Sequence, residues 1–140
     1  MENTLKQLLI GLIISVTTIF GHCQVPCGIF DDARRILEIE ELVNTIEKAM
    51  GKIEVLSHKN NQSAQDMNQL IRWVNTKEEH AQKIQNTILA YFLAQRIKPK
   101  EVQDNEYQKY VKLTTICQKI IYVAMKTKQT VDLTHIKKYL

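Results

Sequence analysis

Three stretches in which apolar residues recur at steps of three and four constrain the fold of this chain most strongly. This spacing places the apolar side chains on one face of an α-helix, and no segment alternates over four to eight residues as a β-strand would. The apolar positions are Ile36, Ile39, Val43, Ile46, Met50 and Ile53, then Met67, Ile71, Val74, Ala81, Ile88 and Phe92, and finally Tyr107, Tyr110, Thr114, Cys117, Ile121 and Ala124.

Local signals indicate where these helices begin and end. Asp31 and Asp32 offer N-cap oxygens and favourable charge for the start of the first helix. That helix should end near His58, where the polar run KNNQS follows. Lys98-Pro99 should end the second helix, because the residue before a proline avoids the α conformation.

A short fourth helix is expected over residues 131–139, with Leu133, Ile136 and Leu140 as its apolar contacts. Only 4 glycines and 2 prolines occur, which argues against a turn-rich all-β chain, and 44% apolar with 24% charged residues is typical of a globular domain. The net charge of +4 is mild and unclustered, so no nucleic-acid partner is expected. The sequence therefore predicts an all-α, up-and-down four-helix bundle.

Residues 1–21 have the pattern of a cleavable leader helix. Their apolar run, Leu8 to Phe20, is shorter than the roughly 20 residues that span a bilayer, and the small residue Gly21 suits a cleavage point. We expect cleavage after Gly21, with residues 22–140 as the functional domain and no stable membrane association afterwards. A secretory leader implies export to the periplasm or medium; otherwise the processed chain is cytoplasmic. An uncleaved anchor and a lipoprotein signal ending at Cys23 are weaker alternatives.

The chemistry is concentrated in the hook segment, residues 22–30, which reads HCQVPCGIF. A new terminus at His22 would offer an α-amine and an imidazole, Cys23 a backbone amide nitrogen and a thiolate, and Cys27 a second thiolate. The amine, the amide and the Cys23 sulfur would form fused chelate rings in one plane, and the proline and glycine of the segment favour a tight turn. Square-planar coordination that includes nitrogen donors indicates Ni(II) or Cu(II).

The hook segment resembles the nickel-hook motif of the nickel superoxide dismutases, which runs His-Cys-x-x-Pro-Cys-Gly-x-Tyr at the mature N-terminus. It matches at His22, Cys23, Pro26, Cys27 and Gly28. A wider likeness includes an acidic helix start, the KEEHA run and the Lys-Pro stop. The resemblance implies a nickel cofactor, a homohexamer of four-helix bundles, a leader-processing protease, and dismutation of superoxide to oxygen and hydrogen peroxide through a Ni(II)/Ni(III) cycle.

The resemblance also implies the site residues. His22 would bind nickel through its amine and imidazole, Cys23 through its amide and thiolate, and Cys27 through its thiolate, and these three are also the catalytic residues. Glu38 matches the acidic residue that helps to orient the axial imidazole, and such outer hydrogen bonds fix ring position and ligand basicity.

Two positions depart from the family pattern. Phe30 stands where the family has a tyrosine, and His80 stands where the best-known relatives have an arginine. We expect activity to be retained with an altered pH dependence, because a histidine changes charge near neutral pH. Beside His80, Lys77 and Glu78 interrupt the second apolar stretch. They lie either at a solvated edge or subunit contact, or in an outer layer around a buried group.

Two other functions fit the same residues. Cys23 and Cys27 could form a disulfide in an exported helical binding or scaffold protein, or the hook could carry nickel or copper without turnover. Metal analysis separates the scaffold protein from the enzyme, and a superoxide-consumption assay separates the carrier from it. Cys117 lies in the third apolar stretch and is expected to be a buried thiol.

Overall fold

A computed structural model describes residues 31–132 of the chain. Helix α1 spans Asp32–Ser57 and helix α2 spans Ala64–Thr87, which continues directly as a π-helical segment, Ile88–Arg96, before helix α3, Tyr107–Gln129. No strand occurs among these residues, so the all-α prediction is confirmed.

Several predictions concern residues beyond the described part of the chain. The leader helix, the hook segment and residues 133–139 of the expected fourth helix lie outside it, and the first two residues of that helix, Val131 and Asp132, are not helical. The described residues thus contain three α-helices, and the fourth helix stays a prediction. Within residues 31–132, no helix is both long and apolar enough to cross a membrane.

The helix ends follow from local hydrogen bonds. A carboxylate oxygen of Asp31 accepts a 2.9 Å hydrogen bond from the amide of Ala33 at the start of α1. Ser63 and Asp66 form a capping box at the start of α2, in which each side chain accepts from the backbone amide of the other residue. The π-helical segment ends at Arg96, two residues before Lys98, as the Lys-Pro signal predicts.

The core lies where α2 packs against both α1 and α3. Burying one isoleucine or methionine side chain in this core contributes about 1.5–3 kcal/mol to the free energy of unfolding. Cys117 is 6% exposed and burial raises the pKa of its thiol, which confirms the predicted buried cysteine. The buried residues of this cluster are Ile46, Met50, Ala81, Ile84, Ile88, Cys117 and Ala124.

The first half of α2 differs from the prediction. Met67, Ile71 and Val74 belong to the expected apolar face, but their exposed fractions are 44%, 56% and 36%. The buried face of α2 begins instead at Lys77, because Lys77 contacts the carboxyl end of α3 and the preceding turns of α2 extend past that end. Ile36, at the start of α1, is likewise half exposed.

Lys77 has a structural role at the end of α3 that neither interpretation of the sequence named. The residue is only 4% exposed, and its ammonium donates to the carbonyl oxygens of Lys128, at 2.8 Å, and Thr130, at 3.2 Å. The Glu78 carboxylate lies 3.4 Å away. Because the last carbonyls of a helix lack partners within it and carry partial negative charge, a buried ammonium there stabilises the end of α3.

Candidate functional site

The described residues include two of the six predicted site residues. His22, Cys23, Cys27 and Phe30 lie outside them, whereas Glu38 is on α1 and His80 is on α2. Within residues 31–132, no group of three or more His, Cys, Asp and Glu side chains is arranged to hold a metal ion.

Glu38 and His80 line the same cleft between α1 and α2, which has a volume of about 380 Å³. Both helices are amphipathic, and the cleft runs along the edge of their contact. Its polar lining residues are Glu38, Glu41 and Thr45 from α1, and His80, Lys83 and Thr87 from α2.

The two predicted residues lie at different levels of this cleft. The helices are antiparallel and Asp32 meets Arg96, so Glu38 is level with the end of α2 and His80 is about 10 Å further along the axis. His80 uses Nδ1 to donate to the carbonyl oxygen of Thr76 at 2.8 Å. Lys83, which sequence reasoning missed, is one turn closer to Glu38. Its ammonium brings a positive charge into the cleft.

A second polar cluster, also missed from the sequence, lies at the start of α1. The hydroxyl of Tyr91 donates to one oxygen of Asp32 at 2.5 Å, and Arg96 donates to the other from Nη2 at 2.8 Å and Nε at 3.2 Å. Arg96 and then Tyr91 hold the pKa of Asp32 below its usual value, and the Asp32 carboxylate raises the pKa of Tyr91. Asp32 is therefore an ionised anchor for both side chains.

This cluster extends to Glu38. The guanidinium carbon of Arg35 lies 5.6 Å from the centre of the Tyr91 ring, and Arg35 donates to a Glu38 oxygen at 2.5 Å. The bond from Arg35 is the main reason that the pKa of Glu38 is lowered. We call Asp32, Arg35, Glu38, Tyr91 and Arg96 the Asp32 network; it connects the predicted site residue Glu38 to the end of the π-helical segment.

The π-helical winding explains how Tyr91 and Arg96 reach the same carboxylate. Residues five apart in the sequence, such as Tyr91 and Arg96, are separated by about 140° around an α-helix. In a π-helix each amide bonds to the carbonyl five residues earlier, so residues at this spacing lie on nearly the same face. The amide of Ile97 makes such a bond to Phe92, at 2.8 Å. The 3.6-residue period of the sequence held no sign of this winding; the polar residues Tyr91 and Arg96 before the Lys-Pro stop were the only available hint.

The fold and these contacts define an all-helical domain whose polar network lies at the start of α1. The family model for nickel-containing superoxide dismutase matches residues 17–140, which include the hook segment and every described residue. The chain belongs to this family. It is therefore an oxidoreductase that acts on superoxide, with nickel as its cofactor. No curated protein and no solved structure matches the chain.

Proposed function

We propose that the chain dismutates superoxide through a Ni(II)/Ni(III) cycle at an N-terminus created by cleavage after Gly21. In this proposal a protease removes residues 1–21, residues 22–30 form the nickel hook and residues 31–140 form the helical bundle. The observation that carries the proposal is the sequence HCQVPCG at residues 22–28, which lies inside the region matched by the family model.

The donor set of the hook segment suits nickel. The α-amine of His22, with an ordinary pKa near 8, can lose its proton on metal binding, and two thiolates with an amide nitrogen favour a square-planar ion. When bound, nickel supplies one-electron chemistry, in which one superoxide is oxidised to oxygen and a second is reduced, with two protons, to hydrogen peroxide. His22 would hold the ion through its amine and imidazole, Cys23 through its amide nitrogen and thiolate, and Cys27 through its thiolate.

Glu38 is proposed to orient that imidazole. Arg35 and Arg34 both donate to the Glu38 carboxylate, and its lowered pKa keeps it ionised and able to accept a ring N–H. Covalent geometry is compatible with this role, since Cys27 precedes Asp31 by four residues and an extended chain of that length spans at most about 14 Å. An ion held by Cys27 is thereby restricted to the region around the start of α1.

The departures at Phe30 and His80 are proposed to alter the pH dependence rather than abolish activity. His80 already donates to the Thr76 carbonyl within its own helix, and Lys83 supplies the charge nearer to Glu38. A change in the charge of His80 would therefore act on Glu38 from about 10 Å along the helix axis.

Assembly into a homohexamer and export are the remaining parts of the proposal. Exposed apolar side chains on the described helices support an assembly, because such side chains mark protein interfaces when they form patches. They include Met67 and Ile71 on α2, and Leu113 and Ile116 on α3. The leader pattern of residues 1–21 supports export to the periplasm or medium, with the cytoplasm as the alternative compartment. Light scattering of the native protein should give the mass of six processed chains; a monomer would refute the assembly.

The decisive experiment uses protein purified from cells that express the full chain. We expect intact mass to show a terminus at His22 and about one nickel per chain, and the protein to consume superoxide. Cys23→Ser should abolish both nickel binding and superoxide consumption. Cys117→Ala is the matched control, because this buried thiol lies outside the hook segment and its loss should leave the nickel content unchanged.

Three results would contradict the proposal. Full activity with a terminus other than His22 would exclude the coordinating amine. Absence of nickel together with a Cys23–Cys27 disulfide would indicate a scaffold protein, and bound nickel without superoxide consumption would indicate a carrier.

A further inference from the structure

We propose that Tyr91 and Arg96 are positioning residues for the nickel hook. Both side chains bind the Asp32 carboxylate and thereby fix the first turn of α1, which directly follows the hook segment in the chain. This inference rests on the proposed function, because it assigns the π-helical segment a role in holding the hook. Neither residue touches the reacting atoms in this proposal.

The contacts of Asp32 carry the argument. Asp31 caps α1 through the Ala33 amide, which leaves the Asp32 carboxylate for partners outside the helix. Those partners, Tyr91 and Arg96, come from a segment about 60 residues later in the sequence, and they occupy both oxygens of the carboxylate. The first turn of a helix otherwise frays easily, since its amides lack partners within the helix. These bonds therefore tie the first turn to the body of the bundle.

The burial of Tyr91 makes it the more rigid of the two partners. Its side chain is 8% exposed and its ring lies edge-on to Phe92, with 5.1 Å between the ring centres. The Arg96 side chain is about half exposed, so solvent screens its ion pair with Asp32. We therefore expect the hydroxyl of Tyr91 to contribute more to the placement of the first turn than the charge of Arg96.

Tyr91 also supports Glu38. The face of its ring contacts the Arg35 guanidinium, which in turn donates to the Glu38 carboxylate. One side chain thus positions both the turn from which the hook segment leaves and the carboxylate proposed to orient His22. Removal of the hydroxyl alone leaves the ring under Arg35 and isolates the first of these two effects.

The test compares Tyr91→Phe with Tyr122→Phe, which changes a half-exposed tyrosine on α3 whose ring contacts Lys126. Both variants are purified from cells that express the full chain. Hydrogen exchange measured by mass spectrometry reports opening of the first turn of α1 through the amides that bond to its carbonyl oxygens, beginning with Arg35 to Asp31. Release of nickel to a chelator reports how firmly the hook is held, and the thiolate-to-nickel absorption bands report its geometry.

For Tyr91→Phe we expect exchange in the first turn of α1 and nickel release both to accelerate roughly 10- to 100-fold, because a hydrogen bond to a charged group is lost. The absorption bands should shift, whereas Tyr122→Phe should match the wild type in all three measurements. Arg96→Gln should give smaller changes in the same direction.

The results separate this inference from the proposed function. A wild-type chain without nickel refutes the proposed function and, with it, the positioning role. A nickel-containing wild type with unchanged exchange in Tyr91→Phe refutes the hold on α1 alone. Faster exchange with unchanged nickel release and absorption shows that the Asp32 network stabilises the helix without positioning the hook, which also overturns the inference.

Discussion

Replacement of Lys77 by methionine tests whether this buried lysine stabilises the bundle or belongs to the metal site. Methionine keeps an unbranched side chain of similar length but removes the ammonium that donates to the carbonyl oxygens of Lys128 and Thr130. Lys77 lies about 20 Å along the helix axis from Tyr91, which belongs to the π-helical segment that binds Asp32 at the start of α1. We therefore expect Lys77→Met to lower stability and to leave nickel binding unchanged.

The magnitude follows from two opposing contributions. Each hydrogen bond from a charged donor contributes about 1.5–3 kcal/mol, so two bonds together contribute about 3–6 kcal/mol. Removal of the charge also relieves the desolvation cost of an ammonium that is only 4% exposed, and water can reach part of the freed carbonyls. A net loss of about 2 kcal/mol remains, which corresponds to a decrease in Tm of about 6–10 °C for a domain of this size.

Urea unfolding followed by circular dichroism at 222 nm, at one fixed protein concentration, measures this loss. Lys52→Met is the matched control: Lys52 lies on α1 away from the cleft of Glu38 and His80, is exposed, and makes no side-chain hydrogen bond or ion pair within residues 31–132. The control should stay within about 0.5 kcal/mol of the wild type. Nickel content is measured on both variants.

Two results would refute this reasoning. If Lys77→Met is as stable as the control, the ammonium does not stabilise the end of α3. If the variant keeps its stability but loses nickel, Lys77 acts on the metal site, as the second interpretation of the sequence held.

Two further predictions concern the Asp32 network and the core. Because the pKa of Asp32 is lowered in the folded protein, its contribution to stability is fully present above its ordinary pKa of about 3.9 and is lost as the pH falls through the lower folded-state value. Acidification from pH 5 to pH 3 should therefore lower the Tm of the wild type more than that of Asp32→Asn; equal decreases would show that Asp32 is not paired. Met50, which is completely buried between the helices, should lose about 2–5 kcal/mol on replacement by alanine, measured by urea unfolding. A loss below 1 kcal/mol would place Met50 outside the core.

The helices were predictable because their signals are local. Asp31, the KNNQS break and Lys98-Pro99 act on their own neighbours in the chain, so the observed helix ends agree with the sequence within a few residues. The apolar spacing predicted the buried faces of α1 and α3, but it misplaced Met67, Ile71 and Val74. Their exposure depends on where α3 ends beside α2, and periodicity within one helix carries no information about the length of a neighbouring helix.

The candidate site likewise has one part that the sequence predicts and another part that depends on how the helices pack. The nickel donors of the hook segment can be identified from the sequence, since His22, Cys23 and Cys27 lie within a few residues and consecutive backbone atoms form the chelate. The cleft shared by Glu38 and His80 depends instead on the antiparallel packing of α1 and α2, which brings together residues about 40 positions apart.

The sequence by itself determined the helical class, the ends of the first two helices and the family, because each depends on residues that are close together along the chain. Only the tertiary structure decided that Lys77 caps α3 and that Tyr91 and Arg96 hold Asp32. These bonds join groups more than 50 residues apart, and those to Asp32 require a π-helical winding that the spacing of apolar residues does not encode. Long-range hydrogen bonds form where packed helices happen to place donors and acceptors together, so they follow from the fold rather than from local sequence.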